Sequence, residues 1–213
     1  MKTNDLVLML ATGAAAVDPN VAARRYATAL IFGAAGAVLL MVMLLGVRSD
    51  LAHAMHLPMF WIKFGFVAAM AAASLLLVLR LSRPGRQLDK APAALVAPVL
   101  SMWILATVVL INADPLQRTS LLLGDTWAVC PFLIAMLSVP VFGSTIWAMR
   151  GLAPTRLRLA GAAAGLLAGT TGALVYCIHC PEMEAPFLGF WYLLGMLIPT
   201  AAGAVSGRRL LRW

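Results

Sequence analysis

The chain has 213 residues, of which 62% are hydrophobic and only 11% charged, and its mean hydropathy is +0.93. That composition excludes a water-soluble globular domain, because too little polar surface is available to cover so much apolar bulk. The formal net charge of +8 invites a nucleic-acid reading, which the clustering of the basic residues between apolar blocks removes.

Residues 1–26 are expected to form an arm outside the membrane. Lys2, the apolar run 6–11 and the alanines at 14–16 imitate a signal peptide, but Asp5 interrupts the start and the run is too short. A short amphipathic helix fits better, with Asn4 as its cap, Asp5 at the positive end of its dipole, and Leu6, Met9, Leu10 and Val17 near one face. Asp18-Pro19-Asn20 then stops it.

Residues 27–213 are expected to form a transmembrane domain, because the apolar residues fall into six blocks at 27–47, 58–81, 92–111, 131–149, 157–176 and 187–206. Each holds about twenty residues, the number a helix rising about 1.5 Å per residue needs to cross about 30 Å of hydrocarbon. The expected fold is therefore all-α and polytopic, with six transmembrane helices and the lipid bilayer as its surroundings. Charge sets the orientation. Lys2, Arg24 and Arg25, then Arg80, Arg83, Arg86 and Lys90, then Arg150, Arg156 and Arg158, then Arg208, Arg209 and Arg212 occupy the start, the second and fourth connections and the end. The other connections hold Arg48 and Arg118 beside Asp50, Asp114, Asp125, Glu182 and Glu184. By the positive-inside rule the arginine-rich side is cytoplasmic, N-in and C-in, and no direct contact with nucleic acid is expected.

Within the blocks, Gly161, Gly165 and Gly169 recur every four residues, as do Gly203 and Gly207, a pattern that lets helix backbones approach closely. Pro140 and Pro199 are expected to kink their helices. Tyr26, Trp61, Trp127, Trp147, Trp191 and Tyr192 fall where an aromatic belt belongs. Lys63, about one turn into the second block, is read as snorkelling outward rather than as a buried ion pair or a transport residue. No acidic residue lies deep in a block, which argues against a proton- or cation-driven transporter.

Cys130, Cys177 and Cys180 fall at the level of the external face, together with His53, His56 and His179. Cys130 directly precedes Pro131 and is placed near the N-cap of the fourth helix, where the positive end of a dipole favours a thiolate. Cys180 ends the fifth helix at the same depth, and a bridge between the two would tie two external connections together. Both are expected to be accessible from outside, with Cys177 a turn deeper. Cys177-x-x-Cys180 also has redox or metal spacing, and His53, His56, His179 and Cys180 are candidate metal ligands. Against that stands the position of the pair at a helix C-terminus, where the dipole disfavours thiolate.

His179-Cys180-Pro181-Glu182, then Phe187, Trp191-Tyr192, Gly195, Ile198-Pro199 and the closing Gly207-Arg208-Arg209-Leu210-Leu211-Arg212-Trp213, closely resembles the NrsF family of bacterial membrane anti-sigma factors. The opening Met1-Lys2-Thr3-Asn4-Asp5-Leu6 is similar as well. The resemblance implies a regulator, not an enzyme, that inhibits an extracytoplasmic-function sigma factor of the SigF type from the inner membrane and releases it under oxidant or heavy-metal stress. In such proteins two cysteines sense the stress, and Cys130 and Cys180 are the matching positions. Cys177 looks like an addition to that pattern, with His179 beside it. The sigma factor is expected to dock on the cytoplasmic arm through Leu6, Met9 and Leu10, on the arginine-rich loops, or on both. No resident cofactor is implied; a heavy metal enters only as a signal. Two rival classes are a membrane thiol–disulfide oxidoreductase, which would use the CxxC pair, and a small-solute or metal transporter, hinted at by Lys63 and the prolines. The oligomeric state is left open.

Overall fold

The computed structural model describes residues 3–12, 20–83, 91–152 and 154–212, and among them it contains helices and connections but no strand. In chain order these are α1 (Thr3–Thr12), α2 (Val21–Leu44), α3 (Leu51–Ala54), α4 (Pro58–Leu81), α5 (Ala91–Asn112), α6 (Arg118–Leu123), α7 (Cys130–Arg150), α8 (Leu157–Tyr176), α9 (Ala185–Phe187), a π-helical turn (Leu188–Tyr192) and α10 (Leu193–Leu210). Six helices are long and apolar enough to cross a membrane: α2, α4, α5, α7, α8 and the continuous stretch Ala185–Leu210.

The second and fifth apolar blocks coincide with α4 and α8, and three others begin and end within a few residues of their helices. The first differs most, since α2 starts at Val21 and takes in Arg24 and Arg25. Backbone hydrogen bonding continues through a charged side chain, whereas an apolar count stops at it. At the other end Gly46 adopts a φ of +76°, a left-handed turn that costs glycine no Cβ clash. Pro98, Pro140 and Pro199 lie inside α5, α7 and α10.

Within residues 1–26, Thr3–Thr12 form α1, which already includes Thr3, so Asn4 lies within the helix instead of capping it. Leu6 and Met9 are exposed. The side chain of Leu10 lies outside the described residues, as do Lys2, Val17, Arg86, Lys90 and Trp213.

α8 is the centre of the bundle, 83% buried over its most apolar stretch against 11% for α5. Small side chains make this possible. A Cβ on Gly161 would run into the carbonyl oxygen of Gly203, and one on Gly165 into that of Pro199. On Gly169 it would sit 2.8 Å from the carbonyl oxygen of Met196. The backbones of α8 and α10 therefore touch over three turns, and dispersion at that short range supplies the attraction. Gly172 brings α8 equally close to α7, at Ile134 and Ser138. Gly165→Leu should consequently lower stability by about 3 kcal/mol or more, as overpacking against backbone does. Thermal unfolding in detergent measures it, with Gly143→Leu, at a position that meets nothing within 4 Å, as the control. Equal melting of the two variants would refute the backbone seam.

At one end of the bundle, Arg150 Nε donates to the Leu210 carbonyl at 2.5 Å, and the Tyr26 hydroxyl lies 2.6 Å from Ser82 Oγ. The Arg25 guanidinium lies 5.9 Å from the Trp147 ring centroid. This is the arginine end; α3, α6 and the segment 177–184 form the opposite, cysteine end. The aromatic belt needs correction at two places. Trp61, Trp127 and Trp147 are exposed, but Tyr26 and Tyr192 are fully buried. Tyr26 packs among Val78, Leu81, Ala148, Met149 and Ala160, where Ser82 replaces water as its hydrogen-bond partner.

Candidate functional site: the thiol cluster and the segment that surrounds it

The last turns of α8 carry the chain past its helical end. Cys177 N–H donates to Ala173, Ile178 to Val175, and both His179 and Cys180 to Tyr176, at 2.9–3.2 Å. Pro181 then lacks the N–H that another turn requires. Beyond Cys180 the chain leaves its helix, and the carbonyls and polar side chains of 179–182 find partners on other elements. His179 Nδ1 lies 2.9 Å from the Gly46 carbonyl oxygen. The Cys180 carbonyl accepts from Lys63 Nζ at 3.0 Å and from Arg48 at 3.3 Å, and the Glu182 carbonyl accepts from Lys63 Nζ at 2.9 Å. The Glu182 carboxylate accepts from the backbone N–H groups of Asp125 and Thr126 at 2.9 and 3.2 Å, and from the Thr126 hydroxyl at 3.3 Å. Four consecutive residues thus tie together the loop after α2, the outer turns of α4 and the approach to α7. Gly124, at φ +56°, leaves room for this; a Cβ there would sit 2.7 Å from Glu182 Oε2.

Within this frame the side chains of Cys130, Cys180 and Tyr176 lie close enough to interact with one another. All three cysteines are free and fully buried. Burial corrects the expected accessibility of Cys130 and Cys180: the frame of loops covers both, so only small reagents, or a transient opening, can reach them.

The reason given for a reactive Cys130 also changes. Cys130 is the first residue of α7, but its N–H bonds to the Thr126 carbonyl at 2.9 Å, so a turn precedes it. The donors at the positive end of that turn are those of Asp125 and Thr126, and the Glu182 carboxylate occupies them. Cys180 is the better placed of the pair for ionisation. The polar contact with the Cys130 thiol, and more weakly the nearby Lys63 ammonium, hold the Cys180 thiol well below its ordinary range against the opposing effect of burial.

Lys63 is the largest departure from expectation. It does not snorkel; it is fully buried, with its ammonium on two carbonyls and 5.1 Å from the Tyr192 ring centroid. Lys63 lies on the buried face of α4 that also carries Phe60, Phe66, Val67 and Met70, a helical spacing visible in the sequence. The carbonyls released at the end of α8 take the place of water.

The candidate metal ligands are not brought together. His53 and His56 are exposed on and just after α3, whereas His179 packs 5.6 Å from the Tyr176 ring. Among the described residues no three His, Cys, Asp or Glu side chains are grouped so as to hold a metal ion. Arg48 and Glu182 are two further members of the site: Glu182 stood in the quoted motif without a role, and the partners that place both residues here, Cys180 for Arg48 and Asp125 and Thr126 for Glu182, lie far away in the chain.

A family model described as "Negative regulator of sigma F", NrsF, matches residues 10–213. A "Probable anti-sigma-F factor NrsF" from Azospira oryzae is 62% identical over 213 residues, covering all of both chains. An "Anti-sigma-F factor NrsF" from Caulobacter vibrioides is 36% identical over 225 residues, again covering all of both. No solved structure matches the chain. On the family match and on identity sustained from end to end, the chain belongs to the NrsF family.

Proposed function

We propose that this chain is an anti-sigma factor of the bacterial inner membrane. Residues 1–26 and the arginine end face the cytoplasm and hold an extracytoplasmic-function sigma factor away from RNA polymerase; oxidant or heavy metal reacting at Cys130 and Cys180 releases it. The names of the two relatives support the partner class, and the distribution of arginine supports the orientation.

The contact between Cys130 and Cys180 carries the sensing step. It joins the first residue of α7 to the end of α8 across the chain. Closing that contact to a disulfide brings the sulfurs to about 2 Å, nearer than any unbonded contact allows. α7 is drawn toward α8, and the α8–α10 glycine seam passes the shift to the arginine end as a rigid unit. A signal shifts such a two-state equilibrium only by its differential affinity for the states, so a preference of about 1–2 kcal/mol changes sigma occupancy about 5- to 30-fold.

The test is capture of the purified sigma factor by membranes containing this chain, with and without oxidant. Capture in reducing buffer and loss on oxidation are expected; no capture in either would end the proposal. Orientation is checked separately. Reporters fused after Asp18, Gln87, Pro154 and Trp213 should read as cytoplasmic, and those near Ala52, Gln117 and Glu184 as periplasmic. An external reporter at Gln87 would reverse the model.

A further inference from the structure

Cys130 and Cys180 are fully buried in one core cluster, yet one opens α7 and the other lies just beyond α8. Each stands beside a residue that ties those two helix ends together. Thr126 precedes Cys130 by four residues, and its carbonyl accepts the Cys130 N–H at 2.9 Å, which fixes both to one helical turn. Glu182 follows Cys180 by two residues, and Pro181 between them holds the backbone stiff. A single carboxylate oxygen of Glu182, Oε1, accepts from the Asp125 N–H, the Thr126 N–H and the Thr126 hydroxyl. The main chain behind that carboxylate is held as well, because Lys63 Nζ donates to the carbonyls of both Cys180 and Glu182. Gly124 leaves the carboxylate its room, since a Cβ there would sit 2.7 Å from Oε2. The chain thus forms a short ring that runs from Cys180 through Glu182 to Thr126 and on to Cys130.

We propose that Glu182 is the positioning residue of the thiol pair: its carboxylate, anchored on Asp125 and Thr126, holds Cys130 and Cys180 side by side so that they close to a disulfide. This rests on the sensing role assigned above to the two cysteines. Hydrogen bonds from main-chain donors to a carboxylate are about twice as strong as neutral ones. A ring closed by such bonds brings the second sulfur to the first before any reaction, so that closure loses little further freedom. With a small organic disulfide as oxidant, the sulfur of one cysteine displaces one small thiol and forms a mixed disulfide. The sulfur of the other cysteine then displaces the second small thiol, and the Cys130–Cys180 bond forms. One S–S bond breaks and one forms; the protein loses two electrons and two protons, and the two small thiols carry both away. The Glu182 carboxylate exchanges no proton and takes part in neither displacement.

The experiment equilibrates the full-length protein with reduced and oxidised glutathione over a series of ratios and reads, by mass spectrometry, the fraction in which Cys130 is joined to Cys180. The midpoint gives the effective concentration of one thiol at the other. Glu182→Ala should lower it about ten-fold or more, the factor carried by one hydrogen bond to a charged group. Glu182→Gln keeps an acceptor oxygen and should restore most of the loss. Gly124→Ala, which crowds the carboxylate off its donors, should lower the value from the other side of the same contact. Glu184→Ala, at an exposed carboxylate two residues on, should leave it unchanged. Iodoacetamide labelling is the second readout: Cys130 and Cys180 should react faster in Glu182→Ala, while Cys177, whose N–H stays bonded to Ala173, keeps its wild-type rate. An effective concentration unmoved in Glu182→Ala, an equal loss in Glu182→Gln, or Cys177 labelling accelerated as much as the pair would overturn the proposal and leave the sensing role standing. A wild type that forms no Cys130–Cys180 disulfide at any ratio would overturn it by removing the disulfide step on which it rests.

Discussion

A chain carrying Cys130→Ser together with Cys180→Ser will hold its sigma factor as firmly as the wild type and will fail to release it under the inducing stress. Basal binding survives because both residues lie at the cysteine end, opposite the surface assigned to the sigma factor. Two serine hydroxyls can also form a hydrogen bond in the same buried space, so neither is left without a partner. The response is lost because hydroxyls form no disulfide and bind soft metals poorly. Induction of about 5- to 30-fold should fall to about one. Each single variant should behave like the pair, whereas Cys177→Ser should do much less. Sigma-dependent reporter transcription with and without stress is the measurement, and normal induction in the double variant would end the sensing proposal. A redox enzyme would instead lose turnover and show no sigma-dependent phenotype.

The second large effect is expected at the arm. Leu6→Asp with Leu10→Asp should free the sigma factor while leaving the protein inserted, since six long apolar helices lie outside α1. Leu6, Val7 and Met9 are exposed on α1, available to a groove on a partner. A charge forced into such a contact should cost about 4 kcal/mol, roughly a thousand-fold in affinity. Sigma capture by membranes, normalised to inserted protein, decides the matter. Undiminished capture would mean that α1 lies on the bilayer and that the arginine-rich loops alone hold the partner.

Much of the fold could be read from the residues in order, because a membrane dictates the length of a crossing helix and the size of a residue dictates how near two backbones come. The blocks at 58–81 and 157–176 reproduce α4 and α8, and the spacing of Gly161, Gly165 and Gly169 marked the tightest seam. Cys130 and Cys180 were singled out by their places at helix ends and by the family resemblance, and a bridge between them was considered, but sequence alone does not bring the two side chains together. Lys63 shows why. Its place on the buried face of α4 follows from helical periodicity, yet the carbonyls that make burial tolerable are 117 and 119 residues away. The expected N-cap thiolate at Cys130 failed for the same reason: Glu182, 56 and 57 residues from its partners, occupies the donors on which that expectation rested. Local rules assign helices and their ends. They do not say which distant side chain answers an end once it exists.

The seam between α8 and α10 bears on the order in which the protein is made. α8 has the lowest hydropathy of the six long helices, 1.4, and is the most deeply buried, so it is the one that lipid alone suits least. α4 and α7 precede it in the chain and pack against it. α10, which fills the row of missing side chains at Gly161, Gly165 and Gly169, follows it out of the ribosome. Until then that row is an open groove in an otherwise finished bundle. In chain order, then, the α8 face at Gly161, Gly165 and Gly169 has no cover until α10 is made, while α4 and α7 can already pack against its other faces.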